Sequence, residues 1–79
     1  SLLNNKKNKQ ALEVYQLNYK KNPDVYTTNV GLMRGYAANG DFKKAMGYAA
    51  KAIKQAPDPT NKEYLENLLK KLENRTDIN

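Results

Sequence analysis

Apolar residues recur every three to four positions along most of the chain, and glycines and prolines separate the runs. This period is typical of amphipathic helices, because residues three and four apart share one face of a helix. No segment alternates apolar and polar residues over the length of a strand. The pattern therefore predicts four helices, over about 8–21, 25–38, 42–55 and 61–73, followed by a frayed end at 75–79.

Polar residues at the predicted helix ends support these boundaries. Asn8, Asp24 and Asp41 stand where a side-chain oxygen can accept the free backbone N–H groups of a first turn. Gly40 can adopt the left-handed conformation that commonly ends a helix. Residues 60–63, Thr-Asn-Lys-Glu, have the spacing of a capping box. We therefore expect an all-α domain with short connections.

A period of 34 residues relates the two halves of the chain, since Pro23 is followed by Pro57 and Ala11 by Ala45. A period of this length is typical of stacked helix–turn–helix units. Alanines on the third helix then allow the helices to approach closely, because overpacking such a site costs about 1–3 kcal/mol. Two glycines one turn apart, at 31 and 35, leave two interpretations open: close helix packing, or room for the backbone of a ligand.

The stretch from residue 26 to residue 59 combines these features at fixed offsets: Leu32, Tyr36, Gly40, Asp41, Phe42, Ala45, Ala49, Ala52 and Pro57. This set resembles the tetratricopeptide repeat family. The resemblance implies one domain, an α-α superhelix of about four antiparallel helices. It would comprise a half repeat over 1–24, a full repeat over 25–59, and a capping helix with a tail over 60–79.

In this family the first helix of each repeat lines a concave groove that binds peptides or proteins. The resemblance implies that eight residues line the groove here: Thr27, Val30, Gly31, Arg34, Ala38, Asn61, Tyr64 and Leu68. Arg34 is the candidate cation, which would either grip a carboxylate of the ligand or pair with a neighbouring acid. Some members clamp a C-terminal carboxylate with lysine and asparagine where this chain has Val30 and Arg34, so we expect a different ligand.

A second apolar flank is expected on the first helix, away from the stripe that packs on the second helix. Val14 and Leu17 lie on it, and Leu2 and Leu3 extend it. Arrays of this type usually need about three repeats to bury a continuous core. We therefore predict that this flank contacts the other domain of a longer parent protein, or a second copy of the chain.

Composition narrows the chemistry. The chain has no His and no Cys, and Ser1 is its single serine, so the usual general base, nucleophile and thiolate ligand are missing. The acids are expected at helix caps and in surface pairs. We therefore predict no enzyme activity, no cofactor and no metal site. No apolar run approaches the ~20 residues of a membrane-spanning helix.

The net charge of +6 keeps a second class of function open, a basic module that binds nucleic acid or an anionic surface. Many lysines occur as adjacent pairs, whose members point about 100° apart on a helix and do not form a stripe. We therefore expect a protein or peptide partner rather than nucleic acid. A purely structural role in an assembly is the third alternative.

A further resemblance concerns the segment NVGLMRGYAANGDFKKAMGYAAKAIKQAPD and the later NKEYLENLLKKLE. These look like the C-terminal helical part of bacterial exported proteins whose N-terminal part is a β-rich domain of unknown function. The chain lacks an initiator Met, and its first residues are too polar for a signal peptide. We therefore expect a fragment of a longer bacterial protein, and the resemblance implies a location outside the cytoplasm. The predicted function is a non-catalytic interaction module or an accessory helical domain.

Overall fold

Four helices make up the fold in a computed structural model, which describes the backbone of residues 2–79 and the side chains from residue 4 onward. They are α1 (Leu2–Lys21), α2 (Tyr26–Ala38), α3 (Phe42–Gln55) and α4 (Pro59–Glu73). The described residues contain no strand, so the all-α class is confirmed. Each helix packs mainly against the next one along the chain.

Contacts between opposite helix ends show that successive helices run antiparallel. Near the start of α1, the Asn8 amide donates a hydrogen bond of 3.1 Å to the carbonyl oxygen of Ala38, at the end of α2. Near the start of α2, the Asn29 amide donates one of 2.8 Å to Gln55, at the end of α3. The start of α3 lies beside the residues that follow α4, as described below.

The core lies between α2, α3 and α4. It contains eight buried residues: Met33, Ala37, Ala45, Ala49, Ala52, Leu65, Leu68 and Leu72. The three alanines of α3 have no exposed surface, as expected from their spacing. Leucines of α4 pack over them, so small residues on one helix accommodate large residues on its neighbour.

Two glycines of α2 allow α1 to pack closely. A Cβ atom added at Gly31 would lie 2.7 Å from the Tyr15 ring, and one added at Gly35 would lie 2.9 Å from Leu12. These distances are shorter than van der Waals contact, so α1 occupies the space that a side chain would need. Of the two interpretations left open by the sequence, the structure supports close helix packing.

Three helix starts differ from the prediction. The first helix begins at Leu2 rather than near Asn8, which lies inside it. Asp24 does not cap α2, because it takes a positive φ of 54° and Val25 stands at the N-cap. The start of α4 is capped by Asp58, whose carboxylate accepts from the backbone N–H of Asn61 at 2.7 Å, so the predicted capping box at residues 60–63 is wrong.

The third helix has the predicted bounds. Its N-cap is Asp41, whose carboxylate accepts a hydrogen bond from the backbone N–H of Lys44 at 3.1 Å. The preceding Gly40 has a φ of 79°, a left-handed conformation that glycine adopts without steric cost. The turn between α2 and α3 is therefore the part of the backbone that the sequence predicts best.

Candidate docking groove

One side-chain contact bridges α2 and α4, the two helices that pack on α3. A guanidinium nitrogen of Arg34, Nη2, donates a hydrogen bond of 3.1 Å to the hydroxyl of Tyr64. Arg34 is half-buried, and Tyr64 is 48% exposed. Two of the eight residues predicted to line a concave groove therefore lie together and reach solvent.

The other residues predicted to line the groove have different environments. Leu68 is buried in the core, and Val30 is partly buried against it. Gly31 and Thr27 line a separate cleft of about 250 Å³ between α1 and α2. Asn61 is held near the start of α4, where its amide donates to the Asp58 carboxylate at 2.9 Å. Arg34, Tyr64 and the half-buried Ala38 are the remaining members of the predicted set.

Residues 75–79, called the tail below, were expected to fray, and in the structure they fold back from the end of α4. The Arg75 guanidinium carbon lies 5.4 Å from the centre of the Phe42 ring. Ile78 packs against the core, and the Asn79 amide donates a hydrogen bond of 3.2 Å to the backbone carbonyl of Arg34. The tail therefore runs past the start of α3 and reaches the backbone of α2 at Arg34.

A polar network that the sequence analysis missed joins the start of α2 to the end of α3. The amide nitrogen of the fully buried Asn29 donates to the Asp24 carboxylate at 3.0 Å and to the Gln55 side-chain oxygen at 2.8 Å. Gln55 donates in turn to the backbone carbonyl of Asp24 at 2.7 Å. This network holds the left-handed turn at Asp24, and no local sequence pattern signals it.

The apolar flank of α1 is exposed where the structure describes it. Val14 is 55% exposed and Leu17 is 60% exposed. The side chains of Leu2 and Leu3, which complete the predicted flank, lie outside the described residues. The flank therefore presents at least two large apolar side chains to solvent, three positions apart on one helix.

Basic and aromatic side chains from α1, α2 and α3 share one surface. The rings of Tyr36 and Tyr48 stack, with centres 5.7 Å apart, and Tyr19 packs edge-on to Tyr48 at 5.8 Å. The ammonium groups of Lys44 and Lys51 lie 5.3 Å from the rings of Tyr36 and Tyr48, respectively. Such contacts are cation–π interactions, which stabilise lysines that stay near solvent.

A metal ion bound among the described residues would need a cluster of ligating side chains. Among those residues, no group of three or more His, Cys, Asp or Glu side chains is placed to hold a metal ion. None of the described helices is long and apolar enough to span a bilayer.

The described residues form an all-α domain of antiparallel helices, each packed mainly on the next one along the chain. No family model, curated protein or solved structure matches the chain.

Proposed function

We propose that the chain is a non-catalytic interaction module of the tetratricopeptide type, which docks an extended peptide or protein segment between α2 and α4. The contact between Arg34 and Tyr64 carries this proposal. The guanidinium can bind a carboxylate or a backbone carbonyl, and the phenol offers both an apolar ring and a hydroxyl. Arginine and tyrosine are also, with tryptophan, enriched among the energetically dominant residues of interfaces.

A phage-displayed library of random peptides, selected on the chain, tests this function. Peptides that bind the groove should lose about tenfold or more in affinity on the double variant Arg34→Ala/Tyr64→Ala. The matched control is Lys54→Ala/Glu66→Ala, which removes two side chains from a depression between α3 and α4. Peptides that bind both variants equally well, or a selection that enriches no peptide, would rule the groove out.

A second candidate function is binding of an anionic polymer, and the charge distribution supports it. The sequences of α1 and α3 contain nine lysines and one glutamate, whereas α4 has equal numbers of lysines and glutamates. Two lysines of α3 flank the stacked tyrosines, an arrangement of aromatic rings and cations that suits single-stranded nucleic acid. The lysine pairs do not form stripes, yet α1 and α3 together concentrate most of the positive charge.

Fluorescence anisotropy with a labelled oligothymidylate tests the second candidate. Binding should weaken steeply as the salt concentration rises, and Lys44→Glu/Lys51→Glu should reduce the slope of log K against log salt by about 1.4. The control variant Lys62→Glu/Lys70→Glu makes the same charge change on α4. Equal effects of the two variants would mean that the net charge matters and the tyrosine surface does not.

A further inference from the structure

We propose that the tail, residues 75–79, is a built-in ligand of the groove between α2 and α4. The class of ligand that the groove accepts is then an extended peptide with an aliphatic side chain at the position of Ile78. This inference rests on the docking function proposed for the same groove. An external ligand has to displace the tail before it reaches the surface beside Arg34.

The turn after α4 sets the direction of the tail. The backbone N–H of Arg75 donates to the carbonyl of Leu72 at 2.9 Å, and that of Thr76 donates to the carbonyl of Lys71 at 2.9 Å. This pair of hydrogen bonds is a Schellman motif, which reverses the chain at the end of a helix. The left-handed position of the motif usually holds glycine, but here Arg75 takes it with a φ of 55°. The arginine costs free energy in that conformation, and its guanidinium group lies over the Phe42 ring.

A second local turn presents Ile78. The carboxylate of Asp77 accepts a hydrogen bond of 2.9 Å from the backbone N–H of Asn79. This is an Asx turn, which a short aspartate side chain forms with the residue two positions later. It restricts the backbone around Ile78 while that side chain packs against the core. The tail is therefore held as a peptide ligand would be, by an apolar anchor and a hydrogen bond to the receptor backbone.

The tail is held by contacts that a competitor can replace. Thr76, Asp77 and Asn79 are exposed, and Ile78 is only partly buried. The aliphatic anchor and the amide that reaches the Arg34 carbonyl are groups that an external peptide can supply. Because the tail is joined directly to α4, its local concentration is of the order of millimolar. A free peptide with the same anchors should therefore compete only at comparable concentrations, and a tighter partner should displace the tail at lower ones.

NMR spectroscopy of the ¹⁵N-labelled chain tests the inference, with the end-blocked peptide Arg-Thr-Asp-Ile-Asn as the probe. In the wild type, the amides of the tail should be as rigid as those of the helices, and the peptide should cause few shifts at low millimolar concentration. In Ile78→Asp the tail should become mobile. The same peptide should then shift the amides of Arg34, Ala38 and Phe42. Ile78→Ala is a milder second variant, in case the aspartate disturbs the core.

Two controls separate the anchor from the added charge. Thr76→Asp places the same charge on an exposed residue of the tail and should behave as the wild type. A peptide with aspartate in place of isoleucine should cause no shifts in Ile78→Asp. A tail that is mobile in the wild type would overturn the inference. The absence of probe-induced shifts in Ile78→Asp would overturn it as well.

The outcome is separable from that of the docking function. The docking function would stand if library peptides depend on Arg34 and Tyr64, whatever the probe peptide does. If the tail is also rigid and the probe causes no shifts in Ile78→Asp, the tail is only a structural cap. The opposite result is a probe that binds Ile78→Asp but not the wild type, while no library peptide depends on Arg34 and Tyr64. The groove would then serve its own tail and no external partner.

Discussion

Gly35 and Gly47 lie inside helices, but their surroundings differ. At Gly35 an added Cβ atom would lie 2.9 Å from the Leu12 side chain and 3.2 Å from its Cα atom. The backbone of α1 cannot move away without shifting the whole helix. At Gly47 an added Cβ atom would meet nothing within 4 Å. The two positions therefore separate the packing role of a glycine from its effect on helix propensity.

The same substitution should have opposite effects at these two positions. We expect Gly35→Ala to lower the free energy of unfolding by about 1–3 kcal/mol through overpacking against α1. Gly47→Ala should raise it by about 0.5–1 kcal/mol, because alanine loses less conformational freedom than glycine in a helix. Urea unfolding followed by circular dichroism measures both. A stabilising Gly35→Ala would mean that α1 does not pack on α2 as described.

Asn29 is a polar residue that is fully buried, and its two hydrogen bonds give it a structural role. Its amide nitrogen has two partners, whereas its side-chain oxygen is buried without one among the described atoms. An unpaired buried oxygen costs free energy, so an apolar residue would suit the site better if packing alone mattered. Asn29 instead holds Asp24 and Gln55 together, which fixes the connection between α1 and α2 against the end of α3.

At the scale of the element, α1 is packed on one side only. On the inner side of α1, Leu12 and Tyr15 contact α2. On another side of α1, Val14 and Leu17 are exposed. The same helix is also rich in lysine, which keeps an apolar surface soluble without covering it. The structure thus places an apolar flank where the sequence predicts it, and a covering partner stays a prediction.

The flank should cause the chain to self-associate when no other partner is present. We expect light scattering to detect species larger than the monomer as the concentration rises, and Val14→Asp/Leu17→Asp to abolish them, because apolar surface would no longer be buried between copies. The control Gln10→Asp/Asn18→Asp adds the same two charges to α1 and keeps the flank. A monomeric wild type, with solubility equal to that of the flank variant, would contradict the prediction.

At the scale of the whole molecule, short-range sequence patterns predict the helices, whereas contacts between distant residues determine the geometry of the candidate site. The hairpin from α2 to α3 follows from the alanine spacing, Gly40 and Asp41, all of which act within a few residues. The start of α1 was missed because residues 2–7 carry no apolar period. The start of α4 was missed although Asp58 followed by Pro59 is a recognisable signal, an N-cap before proline at the first helical position.

The tail could not be predicted from local pattern, because its partners are far away in the sequence. The hydrogen bond from Asn79 to Arg34 spans 45 residues. Ile78 was the one clue in the sequence of the tail. An isolated aliphatic residue in a polar segment stabilises the fold only when it is buried against another apolar surface. Arg34 and Tyr64 were predicted to line one groove, and the structure joins them by a hydrogen bond although they are 30 residues apart in the sequence.

The sequential packing of the helices also governs how the molecule opens. Since α1 packs mainly on α2 and α4 mainly on α3, neither end helix is enclosed by the rest of the molecule. Stability in such stacks is approximately a sum over nearest neighbours. We therefore expect an end helix to open before the middle pair unfolds, and to do so more readily at α1 than at α4, whose leucines lie in the core. Opening of α1 would uncover the glycine surface of α2, and opening of α4 would withdraw Tyr64 and the tail together.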